Sequence, residues 1–126
     1  MESTTILIID DNLELLENTA EVLQVNGYKV ITAQNGEDGI RLAKGERPHL
    51  ILCDIMMRVV DGYDVLSAVK KDEHAAKVPF VFLTAKAEKK DVKKGLDAGA
   101  SGYLVKPYTM DALISIVSNT LKKVKV

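Results

Sequence analysis

Short apolar runs recur along the chain, separated by stretches long enough to form helices. Three of these runs, at residues 6–9, 50–53 and 80–83, are rich in aliphatic and aromatic side chains and contain no charged position. Unbroken apolar runs of this length are typical of parallel strands that are buried on both faces. Two further runs, at residues 28–32 and 103–105, are shorter or more polar, which suits the edges of the same sheet. The pattern therefore predicts five strands.

The stretches between the predicted strands carry residues that commonly begin and end helices. Asn12 and Asn35 stand where helices should start, and asparagine is a favoured N-cap residue. Gly27, Gly45 and Gly99 each come just before a predicted strand, where a glycine in the left-handed conformation often ends a helix. The order strand, helix, glycine, strand therefore repeats along the chain.

The final helix-length segment has an apolar stripe at helical spacing. Its members are Met110, Leu113, Ile114, Val117 and Leu121. Ile116 lies off this stripe, which favours an exposed position and a contact with a partner, although isolated surface isoleucines are common. Five strand–helix units joined by right-handed crossovers predict an α/β fold with a doubly wound, five-stranded parallel sheet in the order 2-1-3-4-5.

Length and charge change this picture little. The chain has 126 residues, of which 47% are hydrophobic, a size typical of one compact domain, so we expect residues 1–126 to form a single domain. With 17 Lys and Arg against 18 Asp and Glu, the net charge of −1 offers no overall attraction for nucleic acid or an anionic membrane. We expect neither as a direct partner.

The cellular setting is predicted from the cysteine count and the N-terminus. The single Cys53 has no internal disulfide partner and lies inside an apolar run, which favours a small buried side chain in a reducing compartment. The N-terminal residues lack the basic and apolar regions of a secretion signal, and no apolar run approaches the roughly 18 residues of a membrane span. These features predict a cytoplasmic protein.

Polar residues follow four of the five predicted strands. Asp10 and Asp11 come at the end of the first strand, Asp54 at the end of the third, Thr84 at the fourth and Lys106 at the fifth. Ligands of a doubly wound sheet bind beyond the carboxyl ends of its strands, so we expect these side chains to converge on one rim. Any one of them alone also fits an ordinary turn. Together they favour a site for phosphoryl transfer.

The three carboxylates of this rim predict a bound cation. Close together they would repel one another, and at least one pKa would rise unless a positive ion compensated them. Oxygen ligands suit a hard ion. Mg²⁺ fits best, because it accepts one or two carboxylates, retains several waters and also binds phosphate oxygens.

Five segments of the chain resemble the receiver domains of bacterial two-component response regulators. They read ILIIDDN, LILCDIMM, DGYDVL, VFLTA and GASGYLVKP, and they span nearly the whole chain. The resemblance implies a flavodoxin-like, three-layer α/β/α fold, so the strand order is recognised as well as derived. It also implies a phosphorylation-dependent switch rather than an enzyme, a phosphoprotein that catalyses only its own phosphoryl transfer and autodephosphorylation.

The resemblance also implies a role for each acidic residue of the rim. Asp54 would accept a phosphoryl group, as an aspartyl phosphate, from the phosphohistidine of a histidine kinase or phosphotransfer protein. Asp11 would bind Mg²⁺ directly and Asp10 largely through water, with Asp54 and the backbone carbonyl of Met56 completing the set. Met56 and Lys86 also occupy positions at which relatives tune dephosphorylation.

The remaining rim residues would bind the phosphoryl group and report its arrival. By the same resemblance, Thr84 and Lys106 would each contact a phosphoryl oxygen, and the bond from Lys106 to Pro107 would be cis. Tyr103 would rotate into the space that Thr84 leaves, reshaping the surface of the fourth helix, fifth strand and fifth helix for a downstream protein target. Tyr103 equally fits an edge-strand aromatic with no switching role. Lysines around the fourth helix, with Glu88 among them, favour a solvated face.

The chain departs from the family pattern in one loop, and rival functions remain to be weighed. Arg58 and Val60 stand where relatives often have Pro and Met, and the loss of Pro restores a backbone donor and torsional freedom.

A haloacid-dehalogenase-type enzyme would need an acid at Met56, and a P-loop protein would need glycines where Asp10 and Asp11 stand. A phosphorylation-independent interaction module with the same fold, or a receiver excised from a larger regulator, stays open.

Overall fold

The computed structural model describes residues 3–85 and 89–124, which fold around a parallel sheet. Lys86 and Glu88 lie outside the described residues, and so does the side chain of Lys89. The strands are β1 (Thr5–Ile9), β2 (Lys29–Ala33), β3 (Leu50–Asp54), β4 (Phe80–Thr84) and β5 (Gly102–Val105). The helices are α1 (Leu13–Val25), α2 (Gly36–Gly45), α3 (Gly62–Lys70), α4 (Lys89–Asp97) and α5 (Met110–Val124), and a 3-10 turn spans Ala75–Lys77.

The sheet has the order β2-β1-β3-β4-β5, and every pair of neighbouring strands is parallel. This confirms the predicted α/β fold and places β2 and β5 at the edges. The register aligns the carboxyl ends of the central strands, because Ile9 pairs with Cys53, Asp54 with Leu83, and Thr84 with Val105. The residues that follow these strands are thereby brought to one rim.

Alternate residues of the central strands enter separate hydrophobic clusters on the two faces of the sheet. In β1, Leu7 and Ile9 pack on the face covered by α2 and α3, whereas Ile6 and Ile8 pack on the face covered by α1 and α5. All of β3 and β4 is buried. Burial on both faces explains why these strands lack charged residues before their last position. Cys53 is fully buried here, as expected of a small apolar side chain.

Side-chain caps fix the starts of two helices, as the sequence predicts. The Asn12 side-chain oxygen accepts a hydrogen bond from the Leu15 amide at 3.1 Å. The Asn35 side chain accepts one from the Asp38 amide at 2.8 Å. Each bond satisfies an amide that has no partner within the first helical turn.

The predicted left-handed glycines are confirmed at two positions and wrong at the third. Gly27 and Gly99 have φ values of +92° and +109°. Gly45 remains inside α2, because helical hydrogen bonding continues to the amide of Glu46, which donates to the Leu42 carbonyl. The chain reverses later, at Arg47, whose φ is +47°.

The apolar stripe of α5 packs on the sheet except at its first residue, with Ile114 and Leu121 partly buried. Leu113 and Val117 are fully buried, but Met110 is 63% exposed, because it begins the helix at the rim of the sheet. Ile116 is half-buried rather than exposed. It packs against the cluster beneath α5, with its terminal methyl beside Gly102 of β5. Among the described helices, none is long and apolar enough to cross a membrane.

Candidate functional site

Four of the predicted site residues meet at the carboxyl ends of β1, β3, β4 and β5. Asp10 is 1% exposed, Asp54 6% and Thr84 0%. The Lys106 ammonium donates a hydrogen bond to Asp10 Oδ2 at 2.8 Å and lies 3.4 Å from Asp54 Oδ1. Lys106 therefore bridges two buried carboxylates that come from different strands.

Asp11 completes an acidic cluster with these two carboxylates. One carboxylate oxygen from each of Asp10, Asp11 and Asp54 lies within 4.8 Å of the others. Asp10 is fixed further by the Asn12 amide, which donates to its Oδ1 at 2.9 Å. Asp11 is exposed, so an ion held here would keep contact with water. Clustered oxygen ligands beside solvent fit Mg²⁺, which binds through few carboxylates and retains water.

The local electrostatics affect the protonation of Asp54 and Lys106. Burial raises the pKa of Asp54 to about 6, Lys106 opposes this increase, and the negative charge of Asp10 adds to it. For Lys106, burial lowers the pKa, but its hydrogen bond and attraction to Asp10 outweigh that effect and leave the pKa raised. The ammonium thus stays charged and favours the ionised form of Asp54, which is the form that can attack phosphorus.

Backbone hydrogen bonds hold the loop that follows Asp54. The Ile55 amide donates to the Leu83 carbonyl of β4 at 3.2 Å, and the Ile55 carbonyl accepts from the amides of Met57 and Gly62 at 3.1 and 2.9 Å. Met56 is 59% exposed, so its side chain points away from the core. Together with Asp11 and neighbouring loop residues, this segment lines an open groove of about 400 Å³.

The groove includes Arg58, where the sequence departs from the family pattern. Asp11, Ile55, Met56, Met57, Arg58 and Asp61 line it. Arg58 is exposed, whereas Lys106 is partly buried against the two carboxylates of Asp10 and Asp54. The Arg58 side chain therefore adds positive charge at the solvent-facing groove, whereas the Lys106 ammonium contacts the buried carboxylates.

Tyr103 lies on β5, half-buried between sheet and helices. Its hydroxyl donates to the backbone carbonyl of Asp91 in α4 and lies 3.5 Å from the Tyr63 hydroxyl. Its ring is 5.6 Å from that of Phe82, centroid to centroid, at an interplanar angle of 58°. Burial and the neighbouring Tyr63 raise the pKa of Tyr103, so the phenol stays protonated and can donate. The Lys106–Pro107 peptide bond is cis, as expected.

Sequence reasoning missed two tyrosines that flank the site. The Tyr108 hydroxyl forms a 2.6 Å hydrogen bond with the Thr19 hydroxyl and ties the segment after Pro107 to α1. Tyr63 of α3 stacks against Phe82, and the Lys94 ammonium lies 4.4 Å from the centre of its ring. An aromatic directly after the Lys-Pro pair was a local clue to the first. The second depends on how α3 and α4 pack, which no local pattern indicates.

The sequence matches the family model of the response regulator receiver domain over residues 6–118. A probable transcriptional regulator, ycf29, of Pyropia yezoensis is 37% identical over 121 residues, covering 96% of this chain and 54% of that protein. RpaA, a DNA-binding dual master transcriptional regulator of Synechocystis, is 36% identical over 118 residues, covering 94% of this chain and 49% of that protein. The chain spans about half the length of the curated relatives it matches.

Solved structures resemble the chain over nearly its whole length. The chemotaxis protein CheY4 of Vibrio cholerae superposes with a TM-score of 0.90 at 27% identity, covering 94% of this chain and 99% of that one. The receiver domain of the sensor histidine kinase PA1611 from Pseudomonas aeruginosa gives a TM-score of 0.88 at 30% identity, covering 96% and 99%. That receiver has a magnesium ion coordinated in its active-site cleft.

Proposed function

This chain belongs to the response regulator receiver family of two-component signalling, and from that premise we propose that it is a switch operated by phosphorylation of Asp54. The observation that carries the proposal is the bridge made by Lys106. Its ammonium contacts both Asp10 and Asp54, at 2.8 and 3.4 Å, directly beside the exposed Asp11. A partly buried cation between a metal-binding acid and a nucleophilic acid would suit a site that handles a phosphoryl group.

The acidic cluster would hold Mg²⁺ through Asp11, Asp54 and the backbone carbonyl of Met56, with Asp10 acting through water. Supporting this, the three carboxylates lie within 4.8 Å of one another and Asp11 faces solvent. When bound, the ion would neutralise charge on the phosphoryl oxygens. Asn12 keeps Asp10 oriented toward the cluster, and Lys106 prevents the three acids from repelling one another without compensation.

Asp54 would be the nucleophile. One carboxylate oxygen attacks phosphorus, the bond from phosphorus to the histidine nitrogen of the donor breaks, and the nitrogen keeps the electron pair. An acyl phosphate forms on Asp54. Lys106, already 3.4 Å from that carboxylate, is near enough to transfer its contact to a phosphoryl oxygen. Thr84, fully buried at the end of the neighbouring strand, would contact another oxygen through its hydroxyl.

The output of the switch would be a change on the surface formed by α4, β5 and α5. The aspartyl phosphate adds roughly 1.5 to 2 negative charges and three acceptor oxygens next to Thr84. Movement of Thr84 would free space for Tyr103, whose ring and hydroxyl already contact β4 and α4. We propose a histidine kinase or phosphotransfer protein as donor in the cytoplasm, a protein target for this surface, and a single receiver domain over residues 1–126.

Phosphorylation is tested directly by intact mass. The protein is incubated with acetyl phosphate and Mg²⁺, and we expect a gain of one phosphoryl group that chelation of the metal abolishes. Asp54→Asn should gain none, whereas the matched variant Asp97→Asn, which changes an exposed aspartate of α4, should behave like the wild type. A folded wild-type protein that gains no mass would overturn the proposal and leave a phosphorylation-independent interaction module.

A further inference from the structure

The first turn of α2 contacts the loop that follows Asp54, and the contact leaves no room for a side chain. Gly36 is buried at the start of α2. A Cβ placed on Gly36 would lie 2.6 Å from the Val60 carbonyl oxygen and 2.6 Å from Val60 Cγ1. The backbone oxygen cannot rotate away as a side chain would, so any larger residue must displace the loop or the helix.

The same loop is pinned from its other side at Gly62. The Gly62 amide donates to the Ile55 carbonyl, and a Cβ placed on Gly62 would lie 2.5 Å from the carbonyl oxygen of Asp54. Asp61 then caps α3 by accepting a hydrogen bond from the Asp64 amide at 2.9 Å. The loop therefore closes against the strand that carries Asp54 and has little freedom at either end.

Between these contacts the loop contains a strained turn. Val59 has a φ of +67°, and the Val60 amide donates to the Arg58 carbonyl at 2.7 Å across it. This is a γ-turn with a positive φ, the rarer and strained of the two γ-turn forms. A β-branched residue is especially unfavourable there. Val59 is 92% exposed, so its own side chain does not compensate the strain by packing.

We propose that Gly36 is a positioning residue for the phosphorylation site. Because Gly36 has no side chain, α2 can pack closely against Val60. This contact holds the turn at Val59, and the turn keeps the segment from Ile55 to Arg58 beside Asp11. This inference rests on the proposed function, because what the loop positions is the Met56 carbonyl and the groove next to the acidic cluster. Gly36 itself touches neither the acids nor the groove.

The test is Gly36→Ala, compared with alanine at the two other glycines of α2. In Gly45→Ala the new methyl meets no described heavy atom within 4 Å, whereas in Gly39→Ala its three nearest heavy atoms belong to the buried side chain of Ile9, the first at 2.5 Å. Gly45→Ala controls for the chemical change. Gly39→Ala controls for a loss of stability that does not reach the loop.

The principal measurement is a calorimetric titration with Mg²⁺ alone. We expect the dissociation constant of Gly36→Ala to rise roughly tenfold, the lower end of what loss of an outer-shell partner costs a metal site. Both controls should bind Mg²⁺ like the wild type. In metal-free ¹H–¹⁵N spectra, Gly36→Ala should also shift the amides of Met56 and Met57, and the controls should leave them in place.

The outcomes separate this inference from the proposed function. If the wild type binds Mg²⁺ and Gly36→Ala binds it equally well, Gly36 has no positioning role and the proposed function stands. If Gly39→Ala weakens binding as much as Gly36→Ala, the effect is one of stability and the inference is wrong. If the wild type binds no Mg²⁺, both fall. Should Gly36→Ala not fold, Val60→Ala removes the methyl that faces Gly36, and unchanged affinity in that variant would also contradict the inference.

Discussion

The end of β3 and the side of the molecule formed by α4 and β5 are held together in different ways. Around Asp54, the following loop is fixed by backbone hydrogen bonds to β4 and to itself, and by direct backbone contact with Gly62. The Tyr103 backbone pairs with β4 in the sheet, but α4 is attached to Tyr103 through its side chain, whose hydroxyl bonds to a helix carbonyl. The first arrangement can hold reacting atoms in place, and the second can change at modest cost.

The Tyr103 side is nevertheless tightly packed at one point. A Cβ placed on Gly95 of α4 would lie 2.5 Å from the Tyr103 ring, and Phe82 packs against that ring from β4. The tyrosine therefore lies in direct contact with α4, and a large movement of its ring requires α4 to move as well. The rim around Asp54 therefore resists displacement, whereas on the Tyr103 side one side chain and one helix move together.

The largest effect is expected at Lys106, the cation of the rim. Lys106→Met should slow phosphorylation from acetyl phosphate by roughly 10²-fold or more, the usual cost of losing a group that stabilises transition-state charge. The rate-versus-pH curve should also move to higher pH, because Lys106 lowers the pKa of Asp54. Intact mass, measured after the reaction is quenched at a series of times and at several pH values, gives both effects.

Lys123→Met, an exposed change near the end of α5, is the matched control and should leave the rate unaltered. Equal rates in Lys106→Met and wild type would show that the bridge between Asp10 and Asp54 is structural only. The rim would then differ from the Tyr103 side in its packing but not in its chemistry.

The second effect concerns the stability cost of the rim. The pKa of Asp54 is raised from 3.8 to about 6 in the folded chain. A carboxyl whose pKa is raised by folding stabilises the folded chain most below about pH 4, where it is protonated. This stabilisation is lost as the pH rises toward 6. At neutral pH, ionised Asp54 therefore destabilises the metal-free fold, and Asp54→Asn should raise the free energy of unfolding by about 1–2 kcal/mol.

Urea unfolding with a chelator present measures this difference at several pH values. The advantage of Asp54→Asn should shrink as the pH falls toward about 4, where both folded and unfolded Asp54 take up protons. Asp97→Asn, an exposed change on α4, is the matched control and should keep the wild-type stability at neutral pH. A variant that is less stable than the wild type at neutral pH would mean that the pairing with Lys106 outweighs burial.

The smallest effect is expected at Gly95. Gly95→Ala introduces a methyl against the Tyr103 ring, and overpacking of this kind costs about 1–3 kcal/mol, partly offset by the roughly 1 kcal/mol gain in helix propensity. We expect a net loss of about 1 kcal/mol or less, with shifted ring resonances of Tyr103, while phosphorylation of Asp54 proceeds at the wild-type level. Gly45→Ala, which meets open space, should not lose stability. Slower phosphorylation in Gly95→Ala would show that packing around Tyr103 also affects the rate of phosphoryl transfer to Asp54.

Local and periodic features of the sequence predicted most of the fold and the convergence of polar strand-end residues on one rim. The strands follow from unbroken apolar runs, and the convergence of Asp10, Asp54 and Lys106 follows from the alignment of strand ends in a parallel sheet. The N-caps at Asn12 and Asn35 depend on three or four consecutive residues, which is why they could be predicted.

The features that escaped prediction are contacts between elements far apart in the chain. Nothing near Gly36 indicates that Val60 will lie against it, and nothing near Gly95 indicates Tyr103. Such contacts depend on distances of a few tenths of an ångström set by packing of whole helices. The helix end predicted at Gly45 was wrong for a local reason, because hydrogen bonding in α2 continues to the Glu46 amide.

The burial of Cys53 has a practical consequence. Its thiol is fully buried in the residue immediately before Asp54, and burial, with the negative charge of Asp54, raises its pKa. A thiol reagent can reach it only when β3 separates from its neighbours, because both faces of that strand are covered. Since Cys53 is the single cysteine of the chain, the rate of its alkylation reports the opening of the strand that carries Asp54. The alkylation rate can be measured with and without a phosphodonor. The ratio of the two rates gives the change in the opening of β3 that the phosphodonor causes.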